Sequence, residues 1–219
     1  SEIDNKKASI SNKIIHGNIE FNYMEDEETT HYSVVDKWGN AVSVTTTING
    51  WYGNGIVVDG AGFLLNNEMD DFSSKPGEPN IFGLVGNEAN AIQPNKRPLS
   101  SMTPTIVLKN GEPFLIIGTP GGSTIITTVM QIILNVSIHG MNIQDAVSVS
   151  RVHSQWLPDA IIVEPRSLSK DVEMNLISRG HLIQPYRWIT IGQANGIMVG
   201  VNGYYGGADP RGENAAAGY

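Results

Sequence analysis

Thr29 has the most distinctive chemical prospects in this chain, and they depend on a cut before it. It follows the acidic run Glu25-Asp26-Glu27-Glu28 and opens the segment Thr29-Thr30-His31-Tyr32-Ser33. Composition alone makes this the start of a strand. A break between Glu28 and Thr29 gives one residue both a hydroxyl and a free α-amine. An α-amine titrates at roughly 7.7–8.0, so near neutral pH it can act as general base for its own hydroxyl. The β-methyl restricts χ1 and keeps that hydroxyl aimed.

Three other segments carry groups that such a nucleophile could use. Thr119-Pro120-Gly121-Gly122-Ser123 precedes an apolar, helix-spaced stretch. Two glycines permit close backbone approach, and N–H groups at a helix start favour negative charge, which suits an oxyanion hole. A plain turn into a helix is the bland reading. A phosphate loop fails because no Lys follows the glycines. Leu65-Asn66-Asn67-Glu68-Met69-Asp70-Asp71-Phe72 reads as a solvated loop, a cap or a cradle for a substrate ammonium. Its spacing does not fit an EF-hand. Asn95-Lys96-Arg97-Pro98-Leu99-Ser100-Ser101-Met102 reads as a turn whose hydroxyls can donate to a carboxylate.

The elements that must position these groups are legible in outline. Residues 1–28 are polar and charged, and read as a linker or tail with little core of its own. From Thr29 onward β-branched runs begin. His31–Val35 and Ala41–Thr47 flank the turn signal Asp36-Lys37-Trp38-Gly39-Asn40. Thr105–Leu108 and Pro113–Ile117 flank a turn containing Asn110-Gly111. Apolar residues at Ile125, Ile126, Val129, Met130, Ile132, Ile133 and Val136 recur at three and four, predicting a buried helix that ends near His139-Gly140. Asn142–Val149 and Ser169–Ser178 read as helices. Ile161–Val163, Leu182-Ile183 and Gly196–Val201 read as strands, with Asn202-Gly203 a further turn. This order predicts an α+β fold of antiparallel sheets with helices stacked outside, not a doubly wound parallel sheet.

Composition narrows the function classes. The 219 residues carry a net charge of −8 and 40% hydrophobic residues, an ordinary globular composition. The acidic balance argues against a nucleic-acid or anionic-membrane partner. With no cysteine there is no disulfide, thiolate metal site or thiol nucleophile. The apolar stretch near Ile125 to Val136 is too short and too polar to span a bilayer. No signal peptide is visible, and Ser1 reads as the start of a chain cut, processed or tagged there. No metal or cofactor is expected.

Taken in order, these segments resemble the gamma-glutamyltranspeptidase family. The resemblance is carried by Thr29-Thr-His-Tyr-Ser-Val-Val-Asp36, Leu64-Leu-Asn-Asn-Glu-Met-Asp-Asp-Phe72, Pro94-Asn-Lys-Arg-Pro-Leu-Ser-Ser-Met102, Pro120-Gly-Gly-Ser123 and Asp209-Pro-Arg211. Arg151-Val-His-Ser-Gln-Trp-Leu-Pro-Asp159 and the final Ala-Gly-Tyr219 add to it. It runs from Thr29 to Tyr219.

The resemblance implies an N-terminal-nucleophile αββα sandwich made as a precursor that cleaves itself before Thr29. Residues 29–219 are then the small, catalytic subunit and residues 1–28 the end of the large one. It implies that Thr29 attacks the γ-amide carbonyl of glutathione or a related compound, giving a γ-glutamyl ester that water or an amino-acid or peptide acceptor resolves. Thr47 matches the hydroxyl that supports the nucleophile. Gly121 and Gly122 match the oxyanion-hole pair. Asn49, Glu68 and Asp71 match groups around the substrate α-amine and α-carboxylate, with Asp71 the main ammonium partner. Ser100 and Ser101 match carboxylate-binding serines. Pro76–Gly86 matches a lid over the pocket that some members have, with Phe82 standing where many have Tyr. The family's carboxylate-binding Arg belongs to the large subunit, an implied partner. Location by resemblance is periplasmic or extracellular. The alternatives are a cephalosporin acylase or poly-γ-glutamate depolymerase using the same nucleophile, an uncleaved inactive fragment, or a non-catalytic module. Thr29, Thr47, Gly121 and Gly122 occurring together argue against the last.

Overall fold

A computed structural model describes residues 29–186 and 190–218. The linker expected over residues 1–28 and the bond Glu28–Thr29 therefore lie outside the described residues.

The first hairpin forms as its β-branched runs require. Strands β1 (Thr30–Val35) and β2 (Ala41–Thr46) pair antiparallel with Thr30 opposite Thr46. The Asp36 carboxylate closes the turn by accepting from the Trp38 and Asn40 backbone N–H groups, each at 2.9 Å. Strands β3 (Thr105–Lys109) and β4 (Glu112–Gly118) form the second hairpin. Asn110 and Gly111 at its tip have φ of 56° and 88°, the doubly positive pattern that matches strand twist in two-residue turns.

Strands β8 (Asn195–Gly200) and β9 (Gly203–Ala208) extend the second hairpin into an antiparallel sheet ordered β3-β4-β8-β9. The β1–β2 hairpin packs against β4 and β8, and Ser43 Oγ donates to the Ile117 carbonyl at 3.1 Å. On the other face lie α1 (Thr124–Ser137) and α2 (Ile143–Ser148). Leu115 and Ile117 of β4 are fully buried against Ile125, Val129, Ile132 and Ile143. Strand alternation turns the equally buried Ile116 toward the hairpin. Helix α1 stops where expected, with Gly140 in the left-handed region at φ 67°.

Two expectations need correction. A third sheet, β5 (Val152–His153), β6 (Ile161–Val163) and β7 (Ile183–Pro185), is not wholly antiparallel. Its β6–β7 pair is parallel, because helix α3 (Lys170–Ser178) intervenes and returns the chain in the same direction. Helix α1 is also not buried all round. Ile126, Met130, Leu134 and Ile138 recur every four residues on its outer face and are 43–71% exposed. Tyr32, Val34 and Val42 on the outer side of the first hairpin are exposed as well. No helix among the described residues is long and apolar enough to cross a membrane.

Candidate active site

Thr29 lies at the open end of β1, 8% exposed. Its hydroxyl donates to Thr47 Oγ1 at 2.9 Å, just past the end of β2. Because Thr30 is paired with Thr46, the register of the hairpin brings Thr29 and Thr47 opposite each other. Thr47 Oγ1 also accepts from the Asn49 N–H at 2.9 Å. Asn49 is buried and holds φ 76°, a left-handed conformation that asparagine tolerates better than most residues. Its side chain donates to the Asn67 carbonyl at 3.3 Å, and the Gly50 N–H donates to Asn67 Oδ1 at 2.7 Å. The loop beyond β2 is thus stitched to the segment that carries Glu68 and Asp71.

Beneath Thr29, His31 fixes the packing of three strands. Its ring bonds Thr45 Oγ1 at 2.8 Å and Ser33 Oγ at 3.0 Å. A Cβ on Gly118 of β4 would lie 2.2 Å from the ring, so glycine is required there. Burial lowers the His31 pKa to about 4 and keeps the ring neutral.

The chain after β4 delivers the two glycines. Gly121 has φ 130° and Gly122 φ 51°, conformations that favour glycine. Neither N–H donates a hydrogen bond among the described residues. The Ser123 hydroxyl beside them is buried and also unpaired among the described residues. A Cβ on Gly121 would sit 2.6 Å from Thr124 Oγ1 and 3.2 Å from Gly192 Cα, so the Gly121 and Gly192 backbones touch. Thr29 and Gly121 line one open groove of about 1440 Å³, together with Gly192, Gln193 and Arg211. Gly122 is not part of that lining. A Cβ there would meet the Phe82 ring at 2.7 Å, so this glycine lies under that ring.

The acidic segment forms a 3-10 turn, Glu68–Asp71. Burial, and after it the Glu68 charge, push the Asp71 pKa up to about 7. Burial raises that of Glu68, opposed by its hydrogen bond with Asp71. Two close carboxyl groups with no cation between them resist ionising together. Asp71 and Ser101 line a separate cavity of about 240 Å³. Ser100 is exposed, and its hydroxyl accepts from the Met102 N–H at 3.2 Å. The Asp70 carboxylate accepts from the Ile81 N–H at 2.9 Å. The segment expected as a lid forms a small hairpin, with Pro79 bridged to Val85 and Asn80 Oδ1 accepting from Phe82 and Leu84 N–H, each at 3.0 Å. Among the described residues no acidic or histidine cluster could hold a metal ion.

A buried ionic network behind Gly121 was not legible as a site. Arg151, 1% exposed, pairs with Asp209 and donates to the Ile191 and Gly192 carbonyls at 2.6 and 3.1 Å. Arg211 bridges Glu164 at 2.6 Å and Asp209 at 2.9 Å. Burial lowers the Arg151 pKa against the opposing pull of Asp209. For Glu164 burial acts upward, but Arg211 and two backbone N–H donors outweigh it and hold its pKa low. The network fixes the 191–194 segment on which Gly121 rests. Thr119 Oγ1 ties the same segment by accepting from Gln193 N–H at 2.8 Å.

The strand-end threonine, paired sheets and helix layer define an N-terminal-nucleophile hydrolase fold, which solved structures share. A mutant gamma-glutamyltranspeptidase of Helicobacter pylori superposes with a TM-score of 0.79 at 57% identity, over 84% of this chain and 100% of that one. A cephalosporin acylase of Bacillus halodurans matches with a TM-score of 0.74 at 29% identity, over 86% of this chain and 34% of that one. The family model "Gamma-glutamyltranspeptidase" matches residues 1–219, and the chain belongs to that family. It is 50% identical over 220 residues to the glutathione hydrolase proenzyme of Escherichia coli K12, covering 100% of this chain and spanning 37% of that protein's length.

Proposed function

We propose that this chain carries the nucleophile of a γ-glutamyl transferase and hydrolase acting on glutathione and related γ-glutamyl compounds. The observation that carries the reading is the buried Thr29 hydroxyl, held by Thr47 at 2.9 Å in the groove that Gly121 also lines. The Thr29 α-amine, once freed from Glu28, takes the hydroxyl proton as Oγ1 attacks the γ-carbonyl. The oxyanion that forms is stabilised by the unpaired N–H groups of Gly121 and Gly122. The carbonyl then reforms, the C–N bond breaks, and the ammonium returns its proton to the departing amine. The product is a γ-glutamyl ester on Thr29. Water or an acceptor amine attacks that ester, passing a proton to the same α-amine, and Thr29 regains its hydroxyl.

Asp71, with Glu68 and Asn49 beside it, holds the substrate α-ammonium, and Ser100 and Ser101 donate to its α-carboxylate. The raised Asp71 pKa supports this role, since a carboxyl pair short of a cation is poised to receive one. The remaining length of the relatives corresponds to a large subunit that supplies the carboxylate-binding Arg. The exposed apolar faces of α1 and the first hairpin fit such a partner. A periplasmic or extracellular location goes with this reading.

A full-length precursor assayed with γ-glutamyl-p-nitroanilide and a glutaryl anilide tests it. The two donors differ in the α-ammonium. The reading expects turnover of the first at least about tenfold better, the worth of one charged hydrogen bond. Equal turnover, or preference for the glutaryl amide, puts the chain with the acylases.

A further inference from the structure

His153 and Gln155 play no part in that chemistry, yet they connect the site's two ends. His153 lies on β5, 1% exposed. Its Nδ1 contacts Thr127 Oγ1 at 2.7 Å and its Nε2 contacts Gln155 Oε1 at 2.9 Å. Two carbonyls fix which way the Gln155 amide faces: its Nε2 donates to that of Phe82 at 3.3 Å and that of Leu157 at 3.1 Å. Its oxygen, which accepts only, then faces His153, so Nε2 of the ring carries the hydrogen and Nδ1 accepts from the Thr127 hydroxyl, which also reaches the Thr124 carbonyl at 3.1 Å. Gln131 of α1 grips β5 from the same side, donating to the Val152 carbonyl at 2.8 Å and accepting from its N–H at 3.1 Å. Helix α1, which starts beyond Gly122, is therefore tied through β5 and Gln155 to the lid tip. The Phe82 ring rests on Gly122.

We propose that Gln155, oriented by His153, latches Phe82 over Gly122, and that the roof so formed decides which acceptor reaches the γ-glutamyl ester. This rests on the reaction proposed above. Asp70 holds one side of the lid tip, its carboxylate accepting from the Ile81 N–H. Gln155 holds the next residue by donating to the Phe82 carbonyl. A tip tethered by both side chains admits water and small amines past its edge and excludes bulky ones. Released by Gln155, the Phe82 side of the tip lifts from Gly122 and opens the same space.

The test uses the matured full-length enzyme and Gln155→Glu, which keeps the size of the side chain but removes both N–H donors. Hydrogen exchange of the lid peptide should accelerate, about fivefold for each hydrogen bond lost. The ratio of transfer to a bulky acceptor amine over transfer to a small one should rise several-fold. His153→Ala frees the amide to turn, so it should give smaller shifts in both readouts. Thr127→Val keeps the shape, removes the hydroxyl donor and should act in the same direction. Wild-type lid exchange and an unchanged acceptor ratio in Gln155→Glu overturn the latch. Absence of any γ-glutamyl ester on Thr29 in the wild type overturns the underlying reaction instead, so the two failures are told apart.

Discussion

Thr29, Thr47 and Gly121 sit at the ends of strands whose backbones are paired along their length. Asp71, Ser100, Ser101 and Phe82 sit on a 3-10 turn and loops. In the first region each group is held by short bonds between neutral partners, such as Thr29 to Thr47, with His31 and the Arg151–Asp209 pair beneath. In the second, two carboxyl groups press together and one hydroxyl stands exposed. In the proposed reaction the first region supplies the nucleophile and oxyanion hole, which must be in place before substrate arrives because catalysis depends on preorganised donors. The second is proposed to bind, and it can remain electrostatically incomplete because a ligand ammonium would complete it. The stitching of Asn49 and Gly50 to Asn67 joins the two regions.

The contrast predicts different failures in the two halves. Gly121→Ala should lower kcat about 10²–10³-fold with little change in KM, as for loss of an oxyanion donor. Its Cβ meets Thr124 and Gly192, and φ 130° is strained for alanine. Steady-state kinetics on the γ-glutamyl anilide checks this, and a pure KM effect would move Gly121 to the binding half. Asp71→Ala should instead lower kcat/KM at least about tenfold, corresponding to roughly 1.5–3 kcal/mol for a charged hydrogen bond. Activity equal to wild type would remove Asp71 from the site.

The smallest effect concerns pH. The Asp71 carboxyl is pushed up to about 7, so it is ionised above that value and neutral below it. Ammonium capture needs the ionised form, so kcat/KM should fall as pH drops below about 7, by at most about tenfold per unit. Glu68→Gln removes the neighbouring negative charge and should move this acid limb to lower pH. The limb set by the Thr29 amine should stay in place. An unmoved profile in that variant would show that the carboxyl pair is not coupled.

Much of the rigid half was legible because its elements repeat a pattern. β-Branched runs around Asp36–Asn40 and Asn110-Gly111 gave both hairpins within a residue or so. Three-and-four spacing gave α1, though not that its Ile126–Ile138 stripe would stay uncovered. Strand β9, Gly-Tyr-Tyr-Gly-Gly-Ala, was missed because its glycines weaken any strand signal. Strand β5 has two residues, too few to show alternation. Glu164, Arg151, Asp209 and Arg211 converge from distant points of the chain, and no local spacing announces them. Arg151 and Asp209-Pro210-Arg211 entered through family resemblance alone. The candidate chemistry at Thr29 was readable because a cut places two functional groups on one residue. The roles of Thr47 and Asn49 came from resemblance, and the hairpin register supplies the geometry for them.

The most direct test is the fate of the bond between Glu28 and Thr29. While it is intact, the Thr29 nitrogen is an amide and cannot act as a base. The Thr29 hydroxyl can attack the Glu28 carbonyl, moving the acyl group from nitrogen to oxygen, and water then cleaves the ester and frees the amine. Thr29→Ser keeps the hydroxyl and loses the rotamer restriction, so slow cleavage and partial activity are expected. Intact mass and N-terminal sequencing of a full-length Thr29→Ala precursor should find one unbroken chain with no turnover of the γ-glutamyl anilide. A Thr29→Ala precursor that still breaks before residue 29 and still turns over substrate would place the nucleophile elsewhere.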